Sequence, residues 1–295
     1  MIARPLVSIG LPVYNGETFV ERAIDALCAQ DYEHLEIIVS DNGSTDNTPK
    51  LCRAAAERDA RVVFLESQLN RGASWNFGRV FHAAHGQYFK WAACDDLIRP
   101  EFVSTCVTEL EADPSAVLCY PRTSLIDEDD IPVADFTDDL ALDDGSPVRR
   151  LSRLCRHVGE YHPVFGIIRA DALRDTILLG PFVYADIVTV AELALRGRFV
   201  EHPERLFLRR YHPGTSVIAN PDAHARARWF APEKRWRNPM PVARLTAELA
   251  LAVHRSPLSL GDKLRADAVV MRDWAMPRWR DIGGEVKRLV RSPGS

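Results

Sequence analysis

The first 120 residues alternate short apolar runs with amphipathic stretches, and this alternation constrains the fold more than any other feature of the chain. The apolar runs predict strands at residues 6–13, 35–40, 61–66, 88–93 and 116–120. Between them, helical periodicity predicts helices at 17–30, about 46–60, 73–84 and 101–112. Strands separated by helices of this length form a mostly parallel sheet with right-handed crossovers. The sequence therefore predicts an α/β fold, a Rossmann-like sheet flanked by helices.

The pattern loosens after residue 120, although 295 residues with 46% hydrophobic side chains can bury one substantial core. Residues 127–144 hold nine acidic side chains in eighteen positions and predict a solvated loop. Further on we expect a strand at 164–168, an extended segment at 198–211, and helices at 242–254 and 262–274. The chain is therefore expected to form one α/β unit followed by a helical C-terminal extension.

The C-terminal extension, residues 223–295, is basic and rich in tryptophan. Positions 224–295 carry 15 Lys and Arg against 7 Asp and Glu, and they include Trp229, Trp236, Trp274 and Trp279. We expect these helices to pack on the rest of the domain, while a homo-oligomer contact and peripheral contact with an anionic membrane remain open. No nucleic-acid partner is expected, because no nucleic-acid reading module accompanies the charge.

The sequence predicts a cytoplasmic protein, with the inner face of the membrane as an open alternative. No apolar run approaches the ~20 residues needed to cross a bilayer, and the N-terminus lacks the features of a signal peptide. The six cysteines show no CxxC spacing. This favours buried free thiols in a reducing compartment over a zinc site.

Three polar motifs stand where predicted strands end: residues 12–17 (PVYNGE), 41–46 (DNGSTD) and 93–96 (ACDD). Ligands of a parallel α/β sheet collect at the carboxyl ends of its strands, so we expect the three motifs at one site. A dinucleotide-binding site requires a glycine-rich turn after the first strand. This chain has one glycine and a glutamate there and no P-loop, which disfavours that alternative.

These motifs resemble those of the family 2 glycosyltransferases, which have the GT-A fold. The matching residues are Pro12-x-Tyr14-Asn15-x-Glu17, the run 39–46, Asn70-Arg71-Gly72 with Asn76, the run 86–88, and Asp95-Asp96. Their order and spacing agree over roughly the first 120 residues, and more loosely to about residue 215. The resemblance implies a GT-A-like domain at 1–222, with a nucleotide-binding half (1–120) and an acceptor half (121–222), followed by the extension.

The resemblance implies an inverting enzyme that moves a sugar from a UDP-, GDP- or dTDP-linked donor to an acceptor hydroxyl, in polysaccharide, glycolipid or natural-product biosynthesis. Tyr14 would cover the base, while Glu17 and Asp41 would accept hydrogen bonds from the base or ribose. Arg71 and Asn76 would meet the diphosphate. The residues assigned to the nucleotide sugar are Pro12, Tyr14, Asn15, Glu17, Asp41, Arg71, Asn76 and Asp95. Taken singly, several of them are also ordinary turn formers.

The resemblance also implies a divalent metal, Mg²⁺ or Mn²⁺, at Asp95 and Asp96, with His212 as a further ligand. A departing nucleoside diphosphate carries extra negative charge, which such a cation neutralises, and hard oxygen ligands suit both ions. Ala93 stands where many relatives carry the first aspartate of Asp-x-Asp-Asp, so the motif has the shorter x-Asp-Asp form. The alternative is an exposed acidic pair that caps the following helix.

On the acceptor side, Asp186 stands at the start of a predicted amphipathic helix. The resemblance makes it the general base that removes the acceptor hydroxyl proton, with Glu192 as the second choice. The alternative is that Asp186 serves as the N-cap of that helix. The residues expected to line the acceptor side are His162, Gly166 and Tyr184.

Two other functions remain open at this stage. A nucleotide-sugar-binding protein without transferase activity would fit the alanine at position 93, although Asp186 argues against it. A sugar nucleotidyltransferase is disfavoured, because a glycine-rich, basic loop near the first strand is missing. If no metal binds, Arg71 with Arg209 or Arg210 becomes the alternative source of positive charge.

Overall fold

The computed structural model describes residues 4–137, 140–157, 161–233 and 240–291. A nine-stranded sheet forms the centre of this part of the chain. Its strands are β1 (Val7–Val13), β2 (Leu35–Asp41), β3 (Val62–Leu65), β4 (Tyr88–Trp91), β5 (Leu97–Ile98), β6 (Ala116–Ile126), β7 (Pro132–Phe136), β8 (Ile167–Arg169) and β9 (Arg198–Arg210).

Helices flank the sheet and form the C-terminal extension. They are α1 (Val20–Cys28), α2 (Thr48–Arg58), α3 (Ala73–His82), α4 (Phe102–Ala112), α5 (Pro147–Arg156), α6 (Ala170–Arg174), α7 (Ala185–Arg196), α8 (Ser216–Ala219), α9 (Ala223–Phe230), α10 (Pro241–Arg255), α11 (Leu260–Val269) and α12 (Trp279–Arg291). A 3₁₀ turn, His162–Phe165, precedes β8, and a π-helical turn, Val270–Ala275, continues α11.

The strand order is β3-β2-β1-β4-β8-β6-β9-β5, with β7 paired to β6. The first four strands pair in parallel, and β6 is parallel to β9. Strand β8 lies antiparallel between β4 and β6, so β6 and β9 run in the same direction as β1. Strands β5 and β7 run against their neighbours. The predicted mostly parallel α/β sheet is confirmed, with three antiparallel strands added.

Both faces of the sheet are buried, each in its own hydrophobic core. Along β4, Tyr88 joins the core that includes α1, α2 and α4, whereas the next residue, Phe89, joins the core that includes α3, α5 and α7. Successive side chains of a strand point to opposite faces, so a strand covered on both sides is apolar throughout. This explains the continuous apolar runs of the N-terminal half.

Two expectations for the middle of the chain are corrected. The acidic segment 127–144 was expected to be loop, but Pro132–Phe136 forms an exposed strand paired to β6. The strand expected at 164–168 is a 3₁₀ turn up to Phe165, and only Ile167–Arg169 pairs in the sheet. Pro163 lies in that turn, and proline has no backbone N–H for a central ladder.

The C-terminal extension shares the core of the sheet. Leu249 of α10 is fully buried in the cluster that contains α7, and Trp274 is 5% exposed in the same cluster. Trp279 is 64% exposed, and Trp236 lies outside the described residues. None of the described helices is long and apolar enough to cross a membrane.

Candidate functional site

The ends of β1 and β2 lie side by side, with Val13 paired to Asp41. Asp41 is 1% exposed, and its carboxylate accepts hydrogen bonds from the backbone N–H groups of Gly43 (3.2 Å) and Ser44 (3.1 Å). An aspartate that bonds the backbone ahead of it in this way forms a tight turn. Asp41 therefore shapes the loop at the strand end, next to the position expected for a base or ribose.

The loop after β1 is fastened to the loop after β2. Ser44 Oγ accepts from the backbone N–H of Asn15 at 2.8 Å, and Asn15 Oδ1 accepts from the N–H of Thr45 at 2.9 Å. Pro12 is buried within β1. These bonds fix the backbone around Tyr14, a residue that is 43% exposed.

Glu17 is an exposed residue that braces the start of α2. Its Oε2 accepts from both the backbone N–H (2.9 Å) and the Nδ2 (3.0 Å) of Asn47, the residue that precedes this helix. A carboxylate near a helix N-terminus is stabilised by the unpaired N–H groups and the helix dipole. The predicted hydrogen bond from Glu17 to a base or ribose would have to compete with these two bonds.

Arg71 lies on a loop held by the buried side chain of Asn42. Asn42 Oδ1 accepts from the Arg71 backbone N–H at 3.0 Å, and its Nδ2 donates to Asn70 Oδ1 at 3.1 Å. The Arg71 side chain is 50% exposed, and its guanidinium carbon is 5.0 Å from the centre of the Trp75 ring. Arg71 therefore offers a half-exposed cation on a backbone that Asn42 holds in place.

Asn76 occupies a supporting position instead of the predicted diphosphate contact. It is 2% exposed, its Oδ1 accepts from Ser40 Oγ at 2.6 Å, and its Nδ2 donates to the Ser40 carbonyl at 2.8 Å. The same Nδ2 reaches the carbonyl of Val13 at 3.3 Å. With both ends of its amide engaged inside the protein, Asn76 ties α3 to the ends of β1 and β2.

Asp95 follows β4 and faces His212, which follows β9. Its Oδ2 lies 3.0 Å from His212 Nε2, and the Asp95 side chain is 23% exposed. Burial by itself would raise the pKa of Asp95, but the hydrogen bond from His212 and the charge of Arg209 outweigh it and leave the pKa below its ordinary value. The two side chains predicted from distant parts of the sequence are thus brought together.

Asp96, the other predicted metal ligand, is turned into the protein and contacts Arg209 and Arg210. Its side chain is 4% exposed, its Oδ1 accepts from the Arg210 backbone N–H at 2.9 Å, and its Oδ2 is 3.4 Å from Arg209 Nη1. Burial raises the pKa of Asp96 to about 6, against the charge of Arg209 and together with that of Asp95. Asp96 therefore attaches β9 to the segment after β4.

The donor set at this position suits a divalent cation only in part. Among the described residues, no group of three or more His, Cys, Asp or Glu side chains could hold a metal ion. Asp95 and His212 offer one oxygen and one nitrogen in contact. Mg²⁺ commonly binds one or two protein groups together with substrate phosphates and water. The residues present fit a cation that arrives with a diphosphate.

Arg210 is a structural cation and is not available for phosphate. Its side chain is fully buried, and its Nε donates to the Asp95 carbonyl at 2.8 Å. Its guanidinium also bonds the Asp127 carbonyl and the Asp130 carboxylate, and stacks 4.7 Å from the centre of the Phe19 ring. Arg210 thereby pulls the acidic turn after β6 against the segment that carries Asp95.

Asp186 stands in the first turn of α7, where Tyr184 is the N-cap residue and makes no side-chain cap bond. Asp186 is thus not the N-cap. Burial raises the pKa of Asp186, although backbone N–H groups of this turn and the charge of Arg209 act in the other direction. Arg209 also acts on Asp95, so its cation lies within electrostatic range of both carboxylates.

Glu192, the second choice for a base, is fully buried within α7. Its carboxylate accepts from Arg255 Nε at 2.6 Å and from the backbone N–H of Ile177 at 2.8 Å. It anchors the C-terminal extension, and a paired interior carboxylate has no path to an acceptor. The structure leaves Asp186 as the candidate base.

Two of the predicted acceptor-side residues are buried. His162 is 4% exposed, with its Nδ1 3.1 Å from Thr123 Oγ1 and its ring 4.3 Å from that of Phe136. At Gly166, a Cβ would lie 2.5 Å from the Cys119 carbonyl oxygen, so only glycine allows this close approach to β6. His162 and Gly166 are therefore packed inside the protein, whereas Tyr184 is half-buried and lies two residues before Asp186.

Lys90 belongs to none of the predicted motifs, yet it is 1% exposed within β4, behind the aspartates. Its Nζ donates to the Phe165 carbonyl and lies 4.3 Å from the centre of the Phe102 ring. Burial lowers the pKa of Lys90 to about 7, although the negative charge of Asp96 favours the cation. The signal in the sequence is a lysine within an otherwise apolar strand, and this pattern predicts a buried charge close to Asp95 and Asp96.

Solved structures of glycosyltransferases share this fold. S. aureus TarS 1–349 in complex with UDP-GlcNAc has a TM-score of 0.68 at 12% identity, over 95% of this chain and 79% of that one. The mannosyltransferase PcManGT from Pyrobaculum calidifontis, in complex with GDP-Man and Mn²⁺, has a TM-score of 0.58 at 19% identity, over 100% and 77%. At these identities the likeness shows the fold alone, and it confirms the predicted GT-A-like architecture.

The sequence places the chain in a family. The profile of glycosyl transferase family 2 matches residues 8–176, more than half of the chain. This protein therefore belongs to glycosyl transferase family 2, as predicted. An uncharacterized glycosyltransferase of Rickettsia typhi is 36% identical over 125 residues, which make up 42% of this chain and only 38% of that relative's length.

Proposed function

We propose that this protein is an inverting glycosyltransferase that moves a sugar from a nucleoside-diphosphate donor to an acceptor hydroxyl, in polysaccharide, glycolipid or natural-product biosynthesis. The observation that carries the proposal is the contact of Asp95 with His212 at the carboxyl-end edge of the sheet. This contact lies within electrostatic range of Arg209, whose charge also acts on Asp186. The charge of Arg209 therefore acts both on the proposed cation site and on the candidate base.

The nucleoside would lie between the loops that follow β1 and β2. Tyr14 is the exposed ring on those loops, and the bonds between Asn15 and residues 44–45 hold its backbone in place. The Asp41 turn would accept from the base or ribose, and the exposed guanidinium of Arg71 would meet the diphosphate. The solved neighbours contain UDP-GlcNAc and GDP-Man, which supports a nucleotide sugar as the donor class.

Mg²⁺ or Mn²⁺ would be held by Asp95 and His212. Asp96 would hold β9 in place through its contacts with Arg209 and Arg210. Such a cation, when bound, supplies positive charge that stabilises the departing nucleoside diphosphate. The remaining ligands would be diphosphate oxygens and water, which suits a protein that provides two groups. PcManGT was solved with Mn²⁺, which supports this ion without placing it here.

Asp186 would act as the general base. Its carboxylate would take the proton of the acceptor hydroxyl while that oxygen attacks the anomeric carbon from the face opposite the diphosphate. The carbon–oxygen bond to the diphosphate breaks in the same step, and the configuration is inverted. The charge of Arg209 favours the ionised form of Asp186, although burial outweighs it and leaves the pKa of Asp186 raised.

We place the enzyme in the cytoplasm. All six cysteines are free thiols, and four of them are buried. Free thiols persist in reducing compartments, whereas an oxidising compartment favours disulfides.

Calorimetric titration of UDP, GDP and dTDP, with and without Mn²⁺, tests the donor site. We expect one of them to bind at least about tenfold more tightly with Mn²⁺, because two protein groups and a diphosphate complete the ion's ligand set. Asp95→Asn should remove this dependence. Asp96→Asn is the matched control, because its carboxyl faces Arg209 and the Arg210 backbone, and it should change the affinity by no more than about threefold.

Three outcomes separate the possibilities. If none of the three nucleotides binds, the proposal is wrong. An unchanged Mn²⁺ effect in Asp95→Asn would remove the assigned metal site. Binding without transfer, for every donor and acceptor offered, would identify a nucleotide-sugar-binding protein that lacks transferase activity.

A further inference from the structure

The segment 221–233, which contains α9, lies against the nucleotide-binding half of the site. At Gly72 a Cβ would be 2.5 Å from both the Phe230 carbonyl oxygen and Pro232 Cδ, so the two backbones are in close contact. Gly72 has a φ of 89°, which glycine adopts without strain. Glu233 Oε1 lies 3.9 Å from Arg71 Nε. The end of this segment therefore covers the loop that presents Arg71.

The same segment reaches the acceptor side through Arg226. Its Nη1 donates to the Tyr184 hydroxyl at 3.0 Å, and its Nη2 donates to the Pro221 carbonyl at 2.9 Å. Its Nε is buried and has no hydrogen-bond partner among the described residues. A planar guanidinium held at two corners has a fixed orientation, so it holds the Tyr184 hydroxyl in one place.

The backbone conformation of Tyr184 is one that has to be held in place by its surroundings. Tyr184 is the N-cap residue of α7, and its φ of 70° is in the left-handed region. For a bulky residue this conformation is strained, and it persists only where the surroundings enforce it. Asp186 lies two residues further along the same first turn. Any relaxation of Tyr184 would therefore move the carboxylate of the candidate base.

We propose that Arg226 is a positioning residue for glycosyl transfer: by holding the Tyr184 hydroxyl, it sets the start of α7 and so places the Asp186 carboxylate. The proposal rests on the function proposed above, because only that function makes Asp186 the base. Since the segment also covers the Arg71 loop, one element joins the donor side to the acceptor side. Loss of the Arg226 contact should impair turnover more than donor binding.

Steady-state kinetics of nucleoside-diphosphate release, together with donor affinity by calorimetry, test this role. We expect Arg226→Met and Tyr184→Phe each to lower kcat by about tenfold or more, because small misplacements of a catalytic group carry large rate effects. Donor affinity should stay within about twofold. The double variant should be no slower than the slower single variant, because both changes break the same contact. Arg226→Lys, which cannot hold both partners, should be intermediate.

Arg228→Met is the matched control, because Arg228 is exposed on the same helix, and it should turn over like the unmodified protein. Tyr184→Phe removes a single oxygen, so it keeps the test decisive if an Arg226 variant folds poorly. Turnover within about twofold in both single variants, or additive losses in the double variant, would overturn the positioning role alone. An unmodified protein that turns over no donor would contradict both this role and the proposed function.

Discussion

The adjacent carboxyl groups of Asp95 and Asp96 occupy opposite environments. Asp95 faces His212 and has a lowered pKa, whereas Asp96 is enclosed and has a pKa raised to about 6. Two neighbouring carboxylates repel each other, and their different surroundings shift the two pKa values in opposite directions. Both carboxyl groups are mostly ionised near neutral pH, so their contacts separate the two roles: Asp95 faces His212, and Asp96 secures β9.

The pH dependence of transfer tests the base at the residue level. A general base works when ionised, and burial raises the pKa of Asp186. We expect kcat to fall as the pH is lowered through that raised pKa, so the acid limb of the profile should lie above the ordinary pKa of an aspartate. Asp186→Asn should lower kcat by about 10² or more.

Donor affinity measured by calorimetry is the control for that variant, because Asp186 does not take part in the proposed donor contacts. The affinity of Asp186→Asn should equal that of the unmodified protein. Turnover by Asp186→Asn at the unmodified rate, at any pH, would show that another group takes the proton.

At the residue level, the sequence predicted which groups would gather but not which way they would face. Asp95 and His212 were predicted, with Asp96, as one set of metal ligands, and these two, 117 residues apart in the sequence, are in contact. Asn76 and His162 were predicted to meet ligands but bond other protein groups instead. A polar side chain has the same chemistry toward a ligand and a protein partner, so only the three-dimensional packing separates the two roles.

At the level of elements, the contact between α7 and α10 attaches the C-terminal extension to the catalytic domain. Glu192 is fully buried, and Arg255, 33% exposed, donates to it at 2.6 Å. Arg255→Met would leave a buried carboxylate without its cation, which should lower the free energy of unfolding by about 3 kcal/mol. Chemical denaturation measures this loss.

Arg265→Met is the matched control for that measurement. Arg265 is 75% exposed and pairs with Asp262 on the surface of α11 at 3.3 Å. Exposed pairs contribute little, so the change should stay within about 0.5 kcal/mol. Equal effects of the two substitutions would show that the buried ion pair is not what fastens the extension.

The sequence predicted the strands and helices whose pattern of apolar residues follows from which of their faces are buried. Strands β1, β2 and β4, covered on both faces, appeared as apolar runs at their observed positions. Strand β5 contains two residues, which is too short for any pattern to be read. It forms because β9 supplies hydrogen-bond partners distant in sequence, and such a pairing leaves no local signal. Strand β8 was predicted only in part, because the apolar run at 164–168 does not show where the pairing with β4 and β6 begins.

Over the whole molecule, the motifs that follow β1, β2 and β4 lie at one edge of the sheet. Two later segments of the chain also contact this edge. Strand β9 brings Arg209 and His212 to the aspartates, and the segment 221–233 then crosses from Tyr184 to the Arg71 loop. The extension thus contacts Tyr184 and the Arg71 loop as well as the core. Its packing on the domain was expected, and Trp274 is buried there. Its contacts with Tyr184 and Arg71 could not be inferred, because charge and tryptophan content do not specify partners.

Glycosyl transfer is tested most simply by the release of nucleoside diphosphate from a panel of UDP-, GDP- and dTDP-linked sugars. We expect release from at least one donor in the presence of Mn²⁺, loss of that release on removing the metal with a chelator, and loss in Asp95→Asn. Slow release to water also counts, because the same site and cation are used without an added acceptor. A well-folded protein that releases no nucleoside diphosphate from any donor, with any acceptor and with Mn²⁺ or Mg²⁺ present, would show that it is not a nucleotide-sugar-dependent glycosyltransferase.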